Sequence, residues 1–155
     1  MIGWIRALAV LSSGLYAGII LGDRLGASYA RPLLSAESFV LFQQTQHVHF
    51  KPVLMPLTII ALLTALSWVA LGWRMRARSE LWLAGAAAMA TLTAFLITRI
   101  INFPINDALM TWSAAAPPSN VRELWAPWEE AHTYRSIAGC AAFALQVLAL
   151  SASRR

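Results

Sequence analysis

Charge is scarce in this 155-residue chain: Asp, Glu, Lys and Arg make up 12% of it, against 59% hydrophobic residues. The mean hydropathy is +0.60. Soluble domains carry about 25% charged and about 45–50% apolar residues, so an ordinary soluble domain is excluded. Disorder is excluded by the same scarcity of charge. Cysteine is scarcer still. Cys140 stands alone, which excludes an internal disulfide and any Cys-x-x-Cys metal or redox motif. No glycine-rich phosphate loop is present, and no serine sits in a nucleophile turn, so the sequence offers no basis for phosphate cradling or Ser-His-Asp catalysis. The middle of each apolar run lacks ionisable residues, which argues against a channel or pump. No long repeat or low-complexity segment is evident, and the length allows one domain.

What the chain does have is long apolar runs. A helix crossing about 30 Å of hydrocarbon needs roughly 20 mostly apolar residues. Ala7–Gly22, Val53–Trp73, Leu81–Thr98 and Ser136–Ser153 are free of charge. The first run extends towards Met1 if Arg6 snorkels to the interface. It also has signal-peptide features, with Ser28-Tyr29-Ala30 resembling a cleavage site. Against cleavage stand Gly14, Gly18, Gly22 and Gly26, a glycine every fourth residue, which give one helix face the smoothness that close helix packing uses. A retained span is expected. The expected fold class is therefore all-α: a four-helix transmembrane bundle with a polar and aromatic pocket at its outer face. Residues 1–155 form a single integral membrane domain, with spans near 4–22, 53–73, 81–98 and 136–153 and long loops at 23–52 and 99–135.

The net charge of +5 is sorted by side rather than gathered into a patch. Arg6, the Arg74, Arg76, Arg78 cluster with Glu80, and the Arg154-Arg155 tail carry all of it, whereas the two long loops are neutral. The positive-inside rule then puts both termini in the cytoplasm and both long loops outside a cell membrane. Nucleic acid is not an expected partner.

Polar residues collect on that outer side: His47, His49, His132, Gln43, Gln44, Gln46, Asn102, Asn106 and most of the acids. Such side chains are costly near a membrane unless they face a bundle interior, water or one another. Ala36 to Phe50 reads as helix leading into the second span, with Pro52 and Pro56 bending it. On a regular helix His47 stacks over Gln43, and His49 lies about 200° from His47, so only one histidine faces inward. Both also fit a role as interfacial residues touching headgroups. Arg99, Asn102 and Asn106 share one face around Pro104, a polar kinked helix end whose amides can instead satisfy loose backbone groups. Pro127 suits the first turn of the last helix. There Trp125, Trp128, His132 and Arg135 fall on a stripe about 80° wide. An interfacial aromatic belt accounts for Trp125 but not for His132 and Arg135 on the same face.

Asn102-x-Pro104-x-Asn106, a proline-containing loop, and Trp128-x-x-x-His132-x-x-Arg135 opening the last span resemble the anthrone oxygenase family of small four-span membrane proteins. The Gln-rich segment Phe39 to Phe50, leading into Pro56, resembles that family's first-loop pattern, and the likeness extends over essentially the whole chain. His47-x-His49 lies outside the pattern. The resemblance implies oxidation of an anthrone to an anthraquinone with molecular oxygen, the reaction of members in polyketide pathways. Fold alone does not carry a reaction with it.

Such a reaction removes an acidic C–H proton, and the electron-rich anion can meet oxygen without a metal. His132, with an unperturbed pKa of about 6.5, is the candidate base. Arg135, with the Asn102 and Asn106 amides, is the candidate oxyanion stabiliser, and Trp125 and Trp128 the wall for a flat apolar aromatic. Gln43 and His47 are further candidates for substrate contact. On this reading no cofactor is needed. A second class is a metal or haem redox protein: His47 or His49 with His132, plus Asp107 or Glu129, offers ligands for zinc, copper, iron or haem. A third is a non-enzymatic membrane binding or accessory protein. The expected partners are an apolar small molecule, the bilayer, and a second copy through Gly14, Gly18 and Gly22.

Overall fold

The computed structural model describes residues 2–74 and 78–152 and is helical almost throughout. Helix α1 (Ile2–Leu25) gives way to a short α2 (Ala27–Ala30) and a 3-10 turn, Arg31–Leu33. Helix α3 (Ala36–Arg74) is the longest, followed by α4 (Arg78–Ile97). A π-helical turn, Thr98–Asn102, joins α4 to α5 (Phe103–Leu109), and α6 spans Val121–Ala152. Apart from one bridge between Ser113 and Ala116, the described residues contain no β-structure. Four helical segments are long and apolar enough to cross a membrane: Ile2–Leu33, Ala36–Arg74, Glu80–Leu109 and Val121–Ala152. The chain is a multi-pass membrane protein with an all-α, four-helix architecture. Arg76, Ser153 and the Arg154-Arg155 tail, which entered the reading of spans and charge, lie outside the described residues.

The long helices form a closed square in which α1 and α4 each pack against both α3 and α6. Alanine dominates where they meet: Ala9, Ala61, Ala65, Ala87, Ala94, Ala142 and Ala149 are all buried. Small residues let helix backbones approach, which is how helices associate when lipid is as apolar as leucine. Larger apolar side chains such as Leu11, Leu15, Trp82, Met89 and Ile137 point outward instead. Glycine serves the α1–α6 contact. A Cβ on Gly139 would lie 2.7 Å from Ile20 Cδ1, and one on Gly14 would lie 2.9 Å from Phe143 Cε2. Gly18 and Gly22 meet nothing within 4 Å, so the glycine face divides between internal packing and open surface.

Polar ties fix the register. In the middle of the bundle, Ser13 donates to Gln146 Oε1 at 2.6 Å between α1 and α6. At the end holding the N-terminus, Arg6 donates twice to Glu80 at 2.6 Å, and Trp68 Nε1 also donates to Glu80. Arg6 is thus an interhelical tie rather than a headgroup contact.

At the other end the two long connections are mostly helix. Helix α3 runs through Pro52 and Pro56 uninterrupted, with both rings exposed. The wide turn at Thr98–Asn102 comes just before Pro104, which cannot donate to Ile100 and whose ring crowds that carbonyl. Helix α6 starts at Val121, so Pro127 sits inside the helix beyond its first turn, a correction to the expected start. Phe39, Val40, Leu109, Val121, Trp125 and Trp128 form an apolar cap over this end. Gln44 Nε2 closes it by donating to the carbonyls of Leu109 and Trp112 at 2.9 and 2.8 Å.

Candidate functional site

Below that cap, α1, α3, α5 and α6 enclose a recess of about 660 Å³ including its open mouth. It is lined by Tyr16, Asp23, Gln43, Gln46, His47, Asn106, Trp125, Trp128, His132 and Arg135 among apolar residues such as Ile20, Phe50, Leu54 and Phe103. Helix periodicity accounts for the α6 set. Residues 125, 128, 132 and 135 recur at three- and four-residue steps, so one stripe faces inward and all four are buried.

These side chains form a ladder along α6. Trp125 stacks on Trp128 with centroids 4.5 Å apart, and Trp128 lies 4.9 Å from His132. Phe39 meets the outer side of Trp125 edge-on at 5.6 Å. The guanidiniums of Arg31 and Arg135 lie 5.0 and 5.1 Å from the Trp128 ring. With Trp125 a turn before it and His132 a turn after it, Trp128 offers the recess its edge.

His132 is fully buried, hydrogen-bonded at Nδ1 and set against the Asp23 carboxylate at Nε2. Arg135 Nε donates to Nδ1 at 2.9 Å. Because a guanidinium only donates, Nδ1 is an acceptor and the proton of the neutral ring sits on Nε2. That nitrogen lies 3.0 Å from Asp23 Oδ2, with its N–H off the line a hydrogen bond needs. Arg135 also reaches Thr98 Oγ1 at 3.4 Å.

Asp23 is fixed in turn by Arg31, whose Nη2 donates to both carboxylate oxygens at 2.7 Å. Gln46 Nε2 donates to Oδ1 at 2.5 Å. Arg31 is 1% exposed and spends every arm inside the protein. Its Nε donates to Gln43 Oε1 and its Nη1 to Ser28 and Glu129, each at 2.9 Å, while Nη2 also reaches Gln46 Oε1 at 3.0 Å. A buried guanidinium needs such a complete set, since each unpaired donor in low dielectric costs free energy. Arg122 secures the turn carrying Arg31 by donating to the carbonyls of Arg31 and Leu34 at 2.9 and 2.6 Å.

Of the residues singled out in the sequence, His132, Arg135, Asn106, Trp125, Trp128, Gln43 and His47 come together in the recess. Asn102 does not line it. It is buried beside α6, where Nδ2 donates to the Trp128 carbonyl at 3.2 Å, a tie between helices. His49 is exposed and borders a second recess, between α1 and α3, with Gly18 and Gly22. Asp107 is exposed. Among the described residues no three His, Cys, Asp or Glu side chains converge as a metal-ligand group. Four contributors went unread in the sequence: Tyr16, Asp23, Arg31 and Thr98. Asp23, a carboxylate closing an apolar run, carried the usual signal of an ionisable group at a membrane span. Arg31 lies beside Pro32 between the first apolar run and the next helix, and Tyr16 and Thr98 sit inside or at the edge of apolar runs with nothing to mark them.

The chain is thus a multi-pass four-helix protein with a buried Asp-His-Arg cluster beside stacked indoles. The chain belongs to the anthrone oxygenase family, which it matches over residues 42–145, two thirds of its length. That stretch holds α6 as far as Leu145 and the Asn102-to-Asn106 segment, but begins after Asp23 and Arg31. No curated protein and no solved structure matches the chain.

Proposed function

We propose that the chain is a membrane oxygenase acting on a flat apolar aromatic of the anthrone type, with the recess on α6 as its active site. The observation that carries this reading is His132, pinned by Arg135 at one nitrogen and facing Asp23 at the other, on the wall of a recess framed by aromatic side chains. The substrate is a ketone with an acidic CH₂ group. As a proton leaves that carbon, negative charge develops on the ketone oxygen. Arg135 Nε moves from His132 Nδ1 to this oxyanion, which frees the Nδ1 lone pair to take the proton. Asp23 then sits against the imidazolium, the arrangement by which a carboxylate supports a histidine base. The substrate anion gives its electron pair to oxygen and forms a C–O bond. Loss of the second proton from the same carbon breaks the O–O bond, leaving a C=O group and one water. Oxygen is the oxidant, and no metal or organic cofactor enters.

Phe50, Phe103 and Leu54 supply the apolar contact for such a substrate, and Asn106 a further amide donor. The arginine asymmetry of the sequence supports a reading with this end of the bundle outside a cell membrane and both termini in the cytoplasm. The test is oxygen uptake by the protein in lipid nanodiscs supplied with an anthrone, alongside appearance of the quinone absorption. His132→Ala, shown folded by its helical circular dichroism, is expected to lower the rate about 10²–10⁴-fold, the usual worth of a positioned base. Undiminished turnover in the folded variant overturns the assignment. Binding without oxygen uptake in the wild type points instead to a non-enzymatic carrier.

A further inference from the structure

We infer that the recess takes its ligand as an anion, so that its substrates are flat aromatics bearing an ionised oxygen, a carboxylate or phenolate, in addition to the carbon that reacts. The inference rests on the oxygenase reading for the reacting carbon and on an account of donors and acceptors for the rest.

The acceptor oxygens of Asp23, Gln43 and Gln46 are spent inside the protein. Both Asp23 oxygens receive Arg31, one of them Gln46 as well, and the side-chain oxygens of Gln43 and Gln46 also receive Arg31. Donors are left over. Trp128 Nε1 and the Tyr16 hydroxyl are buried and make no hydrogen bond, and the Arg135 guanidinium donates only to neutral acceptors, His132 Nδ1 and Thr98 Oγ1. The indole nitrogen and the guanidinium only donate. All three residues line the recess and are at least nine-tenths buried. Buried polar groups in proteins are nearly always paired, so a set of one polarity facing one space describes the missing partner. That partner is an acceptor.

Charge gives the same sign. Arg135 is buried, and among the described residues no carboxylate lies within 4.0 Å of it. The neighbouring acids Asp23 and Glu129 are both held by Arg31. Lys51, itself exposed, adds a second cation to the lining, against one carboxylate that is already paired. A neutral ligand leaves Arg135 unpaired in a low-dielectric setting, whereas an anion pairs it.

The test compares two probes of the same tricyclic shape, anthraquinone-2-carboxylate and anthraquinone-2-carboxamide, by tryptophan quenching in nanodiscs corrected with empty ones. The carboxylate is expected to bind at least about tenfold more tightly, the worth of charge-assisted hydrogen bonds. Arg135→Gln is expected to bring the two affinities within about twofold. Tyr16→Phe, which deletes one hydroxyl and keeps the ring, should weaken the carboxylate about three- to tenfold and leave the amide unchanged, so the outcome does not depend on the arginine variant folding. Equal affinities, including no binding of either probe, overturn the inference, and so does a preference that survives both substitutions. Oxygen uptake with a neutral anthrone but no carboxylate preference removes this inference and keeps the oxygenase reading. A preference without uptake of any anthrone does the reverse.

Discussion

Arg31 is the residue on which the order of the polar wall depends, although it does not line the recess itself. It is buried at the turn after α1 and joins Asp23, Gln43, Gln46, Ser28 and Glu129. Asp23 in turn holds the Nε2 side of His132. Removing one member of a buried pair leaves the other charged and unpaired, at a cost of about 3–5 kcal/mol. Asp23→Ala is therefore expected to lower unfolding stability by about 3 kcal/mol, since Glu129 still holds part of the Arg31 charge. The double variant Asp23→Ala with Arg31→Ala should cost less than the two single changes added together, by about 1 kcal/mol or more. Denaturation in detergent micelles checks this; strict additivity would mean that the pair is not coupled.

At the scale of the element, the α1–α6 contact shows how glycine is used. Gly139 on α6 lies against Ile20 and Tyr16, and Tyr16 reaches the recess from the same helix that carries Asp23. Gly139→Leu forces those side chains aside, and overpacking of this kind costs about 1–3 kcal/mol. A lowered thermal midpoint is expected, with weaker ligand binding because Tyr16 moves. Gly18→Ala, on the outward part of the glycine face, adds a Cβ that meets no atom within 4 Å and is expected not to lower the midpoint. Equal midpoints for both variants would contradict the packing described. The wide turn at Thr98–Asn102 works in a similar way: it absorbs Pro104 and lets the helix continue so that Asn106 reaches the recess while Asn102 ties the turn to α6.

Across the whole molecule the two ends of the bundle are built differently. One end is closed by a compact tie of Arg6, Glu80 and Trp68. The other gathers the recess, its cap and most of the acids. The arginines of the sequence favour the closed end, which makes that end the expected cytoplasmic side by the positive-inside rule. In a Cys140→Ser background, a cysteine at Met75 is expected to resist a membrane-impermeant thiol reagent in intact cells, and one at exposed Ser119 to react. The opposite pattern would turn the site to the cytoplasm without altering its chemistry.

The class of fold follows from local composition alone. Four uncharged runs of membrane-crossing length leave a helical bundle as the only way for an open chain to pair its backbone in lipid. The α6 stripe is local too, because Trp125, Trp128, His132 and Arg135 belong to one helix and 3.6-residue periodicity fixes which of them share a face. What the stripe faces is another matter. Asp23 and Arg31 are about a hundred residues away from His132 in the chain, and only the packing of α1 and the following turn against α6 brings them within 3.0 Å of His132 and Glu129. The tertiary structure likewise decided between His47 and His49, turning the first to the recess and the second to the outer groove. It assigned Asn102 to a tie and Asn106 to the wall. Periodicity is a local property of one helix, whereas pairing of buried charges depends on which helices become neighbours, and that is settled by how small and polar residues fit across all four.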